Sequence, residues 1–270
     1  MMEKQRIEYI DLMKGICIVL IILLHNGVNF SNEMLDSMFK CFRIPLYFCL
    51  SGLFFKEYGG FGDFCIRKIN KLLIPYIFFV YIPYALIDVT LPYHHTILSY
   101  FFMILEPYNY PLWFLRCLFF TYILYYIYHR LLSKRGLVIQ ILFVLGITFS
   151  AWFINKKITL PNSEYLLMFY PLIQNVMTAV IAIPFFFIAS MLRKQGILAM
   201  EIKIKKILML FFLFGIVWLF TYQTGIDYMS ALLGNNYLFL YTSALGGIGC
   251  VWCIAYTLKR LFYFSYVGIH

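Results

Sequence analysis

Apolar side chains along this sequence gather in runs of about twenty residues, the number a helix needs to cross roughly 30 Å of hydrocarbon. The runs lie at about 10–28, 38–55, 72–91, 111–131, 136–155, 171–192, 207–224 and 238–258. They predict an all-α fold, a polytopic transmembrane helix bundle of about eight spans forming a single membrane-embedded domain over 1–270. Pro75, Pro83, Pro171 and Pro184 sit in or beside these runs and predict kinks, which membrane helices tolerate when neighbouring groups satisfy the freed backbone. The stretch from His94 to Tyr110 is too short and interrupted to cross, with Glu106, Pro107 and Asn109 near its end, and reads as a re-entrant or interfacial piece. No internal repeat, low-complexity tract or long soluble loop is visible.

Composition agrees with the pattern. Of 270 residues, 63% are hydrophobic and 13% charged, a balance that excludes a soluble core with a solvated surface. A formal charge of +10 raises nucleic acid as a partner, but the basic residues fall in short clusters between apolar runs rather than in one stripe. That distribution encodes topology, because cytoplasmic loops retain Lys and Arg. With the N-terminus inside, sixteen Lys and Arg fall in cytoplasmic segments against Lys40, Lys156 and Lys157 outside. Both termini are therefore expected in the cytoplasm. The seven cysteines lie mostly within apolar runs and read as small packing hydrophobes; Cys250 and Cys253 have redox-motif spacing but no nearby His or acidic ligand. Asp11 and Lys14 interrupt the first run and no small-residue cleavage site follows, so the N-terminus reads as an uncleaved helix.

Several charges sit where hydrocarbon should exclude them. An ionisable group at mid-bilayer costs about 2.5 kcal/mol or more, so one that persists faces a bundle interior or an aqueous cavity. Asp11 and Lys14 are three apart and can pair on one helical face. His25 lies eleven residues beyond Lys14, about 16 Å along a helix and just over three turns, so the two share a side at different depths. An interfacial ion pair plus a snorkelling histidine accounts for these residues equally well on spacing alone. Arg43, which leads into Ser51 and Gly52, and Arg116, beside Trp113, need anionic or carbonyl partners. Together these positions outline a polar interior built from the first, second and fourth spans.

The string from Arg6 to Gly15 followed by His25, the block FRIPLYFCLSG from Phe42 to Gly52, and the block PLWFL from Pro111 to Leu115 resemble, in order, three motifs of acyltransferase family 3, the membrane O-acyltransferases that modify sugars. The resemblance implies a bundle of about ten helices taking an acyl group from acyl-CoA on the cytoplasmic side and passing it to a cell-surface carbohydrate or glycolipid hydroxyl. It places the chain in a bacterial inner membrane. His25 matches the family's presumed catalytic histidine and Arg43 its second-helix arginine. Lys14 stands where many members have Arg, a substitution common in the branch resembling sugar 4-O-acetylases, and suits a CoA phosphate or a structural pair with Asp11; lysine gives up bidentate geometry.

The chemistry this implies is compact. A histidine titrating near pH 6.5 can deprotonate a sugar hydroxyl and return the proton to the departing thiolate. The expected catalytic set is His25, Arg43 and Asp11, with Lys14, Lys68 and Lys71 as phosphate contacts for acetyl-CoA, the donor substrate. Arg43 or Arg116 would stabilise the oxyanion, and Arg116, Trp113 and Ser51 are candidates for substrate contact. Ser51-Gly52 lacks a nucleophile elbow and also reads as a close helix approach. No permanently bound cofactor, metal site or nucleic-acid partner is expected; His94 and His95 read as a surface pair.

The segment from Leu261 to His270 resembles the entry to the family's final helices, and the chain stops there, so a shortened and even inactive member is one expectation. The alternatives are a multi-pass transporter or glycan flippase, which would show repeated halves that are not found here, and a non-catalytic membrane partner of polysaccharide synthesis.

Overall fold

The computed structural model describes residues 8–25, 32–90, 112–157 and 164–267, apart from the side chains of 24–25, 83–85, 87–90, 164–169, 199 and 260–267. The expected re-entrant piece from His94 to Tyr110 and Pro111 of the PLWFL block lie outside the described residues. The described residues are mainly helical: α1 (Glu8–His25), α2 (Glu33–Leu53), α3 (Phe61–Lys68), a π-helical turn (Ile69–Leu73), α4 (Ile74–Thr90), α5 (Trp113–Leu132), α6 (Leu137–Lys157), α7 (Glu164–Lys194), a 3₁₀ turn (Ile197–Ala199), α8 (Ile204–Thr221) and α9 (Tyr237–Val267). Described strand is confined to the pair Ile226–Asp227 and Leu232–Leu233.

Among the described residues four helices are long and apolar enough to cross a membrane: Leu137–Lys157, Tyr170–Lys194, Ile204–Thr221 and Tyr237–Lys259. They fall on the last four runs read from the sequence. The first four runs also form helices, but each falls short of a plain apolar span for a visible reason. Glu8, Asp11 and Lys14 share α1; Glu33, Asp36, Lys40 and Arg43 share α2; α4 has 17 residues; and α5 carries Arg116, His129, Arg130 and four tyrosines. The chain's lipid-facing character is plainest on α8, whose one buried residue is Ile207 while Phe212, Leu213 and Phe220 are exposed.

The chain divides into two compact units, neither of them contiguous in sequence: Met1–Phe54 with Phe185–Ile226 and Leu233–His270, and Phe55–Pro184 with Asp227–Leu232. In the first, α9 packs against α8, α2 and α1. Lipid tails are as apolar as leucine, so such helices associate by close approach more than by the hydrophobic effect. Gly247 of α9 meets the Phe42 ring so closely that a Cβ there would stand 2.4 Å from Phe42 Cγ, and one on Gly52 would stand 2.6 Å from the Phe186 Cα. The Phe42 ring is edge-on to Trp218 at 4.9 Å, and Trp218 Nε1 donates to the Met38 carbonyl at 3.1 Å. Gly52 thus permits a close approach of α2 to α7.

In the second unit α5 packs against α3 and the π turn. The facing side of α5 is lined by Tyr122, Tyr125 and Tyr126, all buried, with the Phe64 ring tilted against Tyr126 at 4.6 Å and Phe55 edge-on to Tyr125 at 4.8 Å. The hairpin tip is tied in through its carbonyls. Thr178 donates to Tyr228 O at 2.9 Å, Gln174 to Ser230 O at 2.8 Å and Asn155 to Ala231 O at 2.5 Å.

Candidate active site

The first unit holds Asp11, Lys14, Arg43 and Ser51, on α1 and α2. Glu8 and Asp11 open α1, where the unpaired amides of a helix N-terminus favour negative charge. One turn on, the Lys14 ammonium lies 2.9 Å from Asp11 Oδ1, as the spacing predicts, and 4.1 Å above the centre of the Phe54 ring at the end of α2. The pair is about two-fifths exposed on each side, so it is hydrated and its cation can reach an incoming anion. A turn deeper, the buried Cys17 thiol donates to the Arg43 carbonyl at 3.6 Å. That contact sets Arg43, itself partly buried, against the stretch of α1 between Lys14 and His25. His25 is the last residue of α1; its side chain lies outside the described residues.

Other contacts hold this frame. Arg193 Nη1 donates to the Leu53 carbonyl at 2.6 Å, capping the end of α2, and the Tyr9 hydroxyl donates to Leu198 O at 2.7 Å. Cys41 Sγ, on the turn before Arg43, donates to the Gln223 carbonyl at 3.5 Å. An apolar cavity of about 330 Å³ also lies in this unit, lined by Tyr9, Met13, Cys49, Phe214 and Trp252 among others, and presents no charged group. Cys250 and Cys253 are buried, unbridged thiols on α9.

The second unit holds the remaining candidates, Lys68, Lys71, Arg116 and Trp113. The π turn that follows Lys68 leaves Lys71 exposed while Lys68 is buried at 7% exposure, its ammonium 3.3 Å from the Tyr122 ring centre and 5.6 Å from that of Phe64. π turns are uncommon and concentrate at functional sites. Burial, and secondarily the positive charge of Lys71, lowers the Lys68 pKa to about 8. Arg116 is 4% exposed on α5, its guanidinium carbon 5.8 Å from the Tyr76 ring centre, with Trp113 buried one turn earlier. The neighbouring Cys117 thiol donates to the Asn175 carbonyl of α7 at 3.5 Å. The structure therefore groups the predicted residues by unit, Asp11, Lys14 and Arg43 in one, Lys68 with Lys71 and Trp113 with Arg116 in the other.

Sequence reasoning misses three features. Tyr122 covers Lys68 from a helix 54 residues away. Glu57 and His129 pair through Oε1 and Nδ1 across 72 residues, with the Phe55 ring 5.5 Å from the imidazole. Tyr58, between Glu57 and two glycines, adopts a left-handed backbone with φ of 56°. None leaves a local spacing signal. Among the described residues no cluster of His, Cys, Asp or Glu is arranged to hold a metal ion.

No curated protein and no solved structure matches this chain. The profile of acyltransferase family 3, described as an acyltransferase domain, matches residues 7–268, nearly its whole length. On that match the chain belongs to acyltransferase family 3, a family of membrane acyltransferases.

Proposed function

We propose that this protein is an O-acyltransferase of a bacterial inner membrane that moves an acetyl or other small acyl group from acyl-CoA to a hydroxyl of a cell-surface carbohydrate or glycolipid. The observation that carries the reading is the arrangement on α1: a hydrated Lys14–Asp11 pair at one end, His25 closing the other, and Arg43 held beside the stretch between them by Cys17. In this reading α1, α2, α4 and α5 also cross the bilayer and both termini face the cytoplasm, consistent with the bias of Lys and Arg.

The residues divide the work. Lys14, with Lys68 and Lys71, receives the phosphates of the donor, and Asp11 orients the Lys14 ammonium. His25 takes the proton from the acceptor hydroxyl as its oxygen attacks the thioester carbonyl. Arg43 or Arg116 stabilises the oxyanion, a contribution that grows where water is scarce. Collapse of that intermediate breaks the C–S bond, and the imidazolium protonates the thiolate, leaving an O-acyl ester and free CoA. Trp113 and Ser51 are assigned to contacts with the acceptor.

The test is transfer of radiolabelled acetyl from acetyl-CoA to cell-envelope glycan in membranes containing this chain, its His25→Ala variant, or neither. Label that requires the chain and disappears with His25→Ala supports the assignment. Absence of label with the intact chain overturns it and favours a transporter or an inactive family member.

A further inference from the structure

The turn from Lys56 to Gly60 is built in an unusual way. Tyr58 takes φ of 56°, a conformation that glycine carries without strain and that costs a side-chain-bearing residue. Glycines stand at 59 and 60, yet the strained position keeps an aromatic ring. Both neighbours are anchored: the Glu57 carboxylate to His129 Nδ1, and the Gly59 amide to Asp63 Oδ2 at 3.3 Å. Asp63 Oδ1 also accepts from Arg67 Nε at 3.0 Å, which holds the guanidinium 4.9 Å from the Tyr58 ring centre. The result is a fixed aromatic platform, 39% exposed, with a cation over it and Lys56, Lys68 and Lys71 nearby in the chain. A ring that served only to anchor the chain at the bilayer surface would need no such backbone, and strain retained by its surroundings points to a binding role.

We infer that Tyr58, with Arg67 beside it, is the stacking platform for the adenine of the acyl donor, so that the turn and α3 read the nucleotide half of CoA. The inference rests on the proposed donor and on the assignment of Lys68 and Lys71 to its phosphates. Aromatic stacking recognises the flat face of a base, and the neighbouring cations supply the contacts that a phosphorylated ribose requires. The donor would then be chosen by its nucleotide as well as by its thioester, and an acyl group on pantetheine alone would be a poor substrate.

The experiment is binding of adenosine 3′,5′-bisphosphate, and separately of inorganic pyrophosphate, to the full chain purified in detergent, as wild type, Tyr58→Phe and Tyr58→Gly. Glycine accepts the backbone at 58, so the variant is expected to melt no lower than wild type; Tyr58→Asn, also tolerant of this conformation, removes the ring in a second way. The expected result is a loss of about tenfold in affinity for the nucleotide with Gly and Asn, near-wild-type affinity with Phe, and unchanged affinity for pyrophosphate. Equal nucleotide binding by all four proteins, or none by the wild type, overturns the inference. An equal loss for pyrophosphate also overturns it, because the effect would then belong to the cations. Ring-dependent nucleotide binding without any acyl transfer would leave the platform standing and remove the O-acyltransferase reading.

Discussion

The thiol of Cys17 and the carbonyl of Arg43 meet at 3.6 Å, joining α1 to α2 between the ion pair and the histidine of α1. The contact fixes the backbone of residue 43 through its carbonyl. If Arg43 stabilises the oxyanion, Arg43→Met lowers kcat by about a hundredfold or more and leaves KM for the donor little changed. Cys17→Ala removes only a weak thiol bond and is expected to retain most activity. Initial rates at matched protein levels in isolated membranes check both.

Lys14 provides a test of donor binding. Its pair with Asp11 is two-fifths exposed, and exposed pairs contribute at most about 1 kcal/mol, so Lys14→Met is expected to lower thermal stability only slightly. The same change raises KM for acetyl-CoA about tenfold if the ammonium meets a phosphate, whereas Lys14→Arg keeps the charge and KM near wild type. Steady-state kinetics alongside a melting curve separate the two effects.

Lys68 makes donor binding pH-dependent. Lysine ordinarily stays protonated to about pH 10, but burial lowers Lys68 to about 8. Phosphate binds the charged form, so KM for acetyl-CoA rises as pH increases through about 8, and Lys68→Arg, which stays charged, flattens the profile. Stability moves the other way. Above about pH 8 the unfolded chain holds a proton that the folded chain has released, so the folded state gains stability until lysine titrates in the unfolded chain too. KM and melting temperature recorded from pH 7 to pH 10 test both signs.

Close helix approach gives the plainest stability prediction. Gly52→Ala places a methyl group 2.6 Å from the Phe186 Cα, a backbone atom that cannot swing away, and is expected to cost about 1–3 kcal/mol. Gly247→Ala meets the Phe42 ring instead, and a compensating Phe42→Leu should recover part of its loss. Gly146→Ala, with open space at the same position of its side chain, is the control. Detergent melting curves rank the three.

Much of this was legible in the residues. Eight apolar runs fall on eight of the described helices, four of them long and apolar enough to cross a membrane, while the short α3 lies between two runs and left no such signal. The Asp11–Lys14 pair follows from a three-residue separation on one helix. What stayed hidden are the pairings between distant segments. Lys68 reads as one of a run of surface cations, and only the π turn and Tyr122 reveal it as buried. Glu57 and His129 find each other across a fold, and the left-handed backbone at Tyr58 is a product of its anchored neighbours rather than of its own preference.

The hairpin between α8 and α9 carries a consequence for how the protein is made. Residues 227–232 belong to the second unit, although the rest of that unit is complete in sequence at Pro184. The side chains of Asn155, Gln174 and Thr178 wait for carbonyls at Ala231, Ser230 and Tyr228 that leave the ribosome 76, 56 and 50 residues after them. During synthesis the second unit therefore stays unfinished until α8 has emerged, and a fragment cut at Pro184 would lack the strap that closes it.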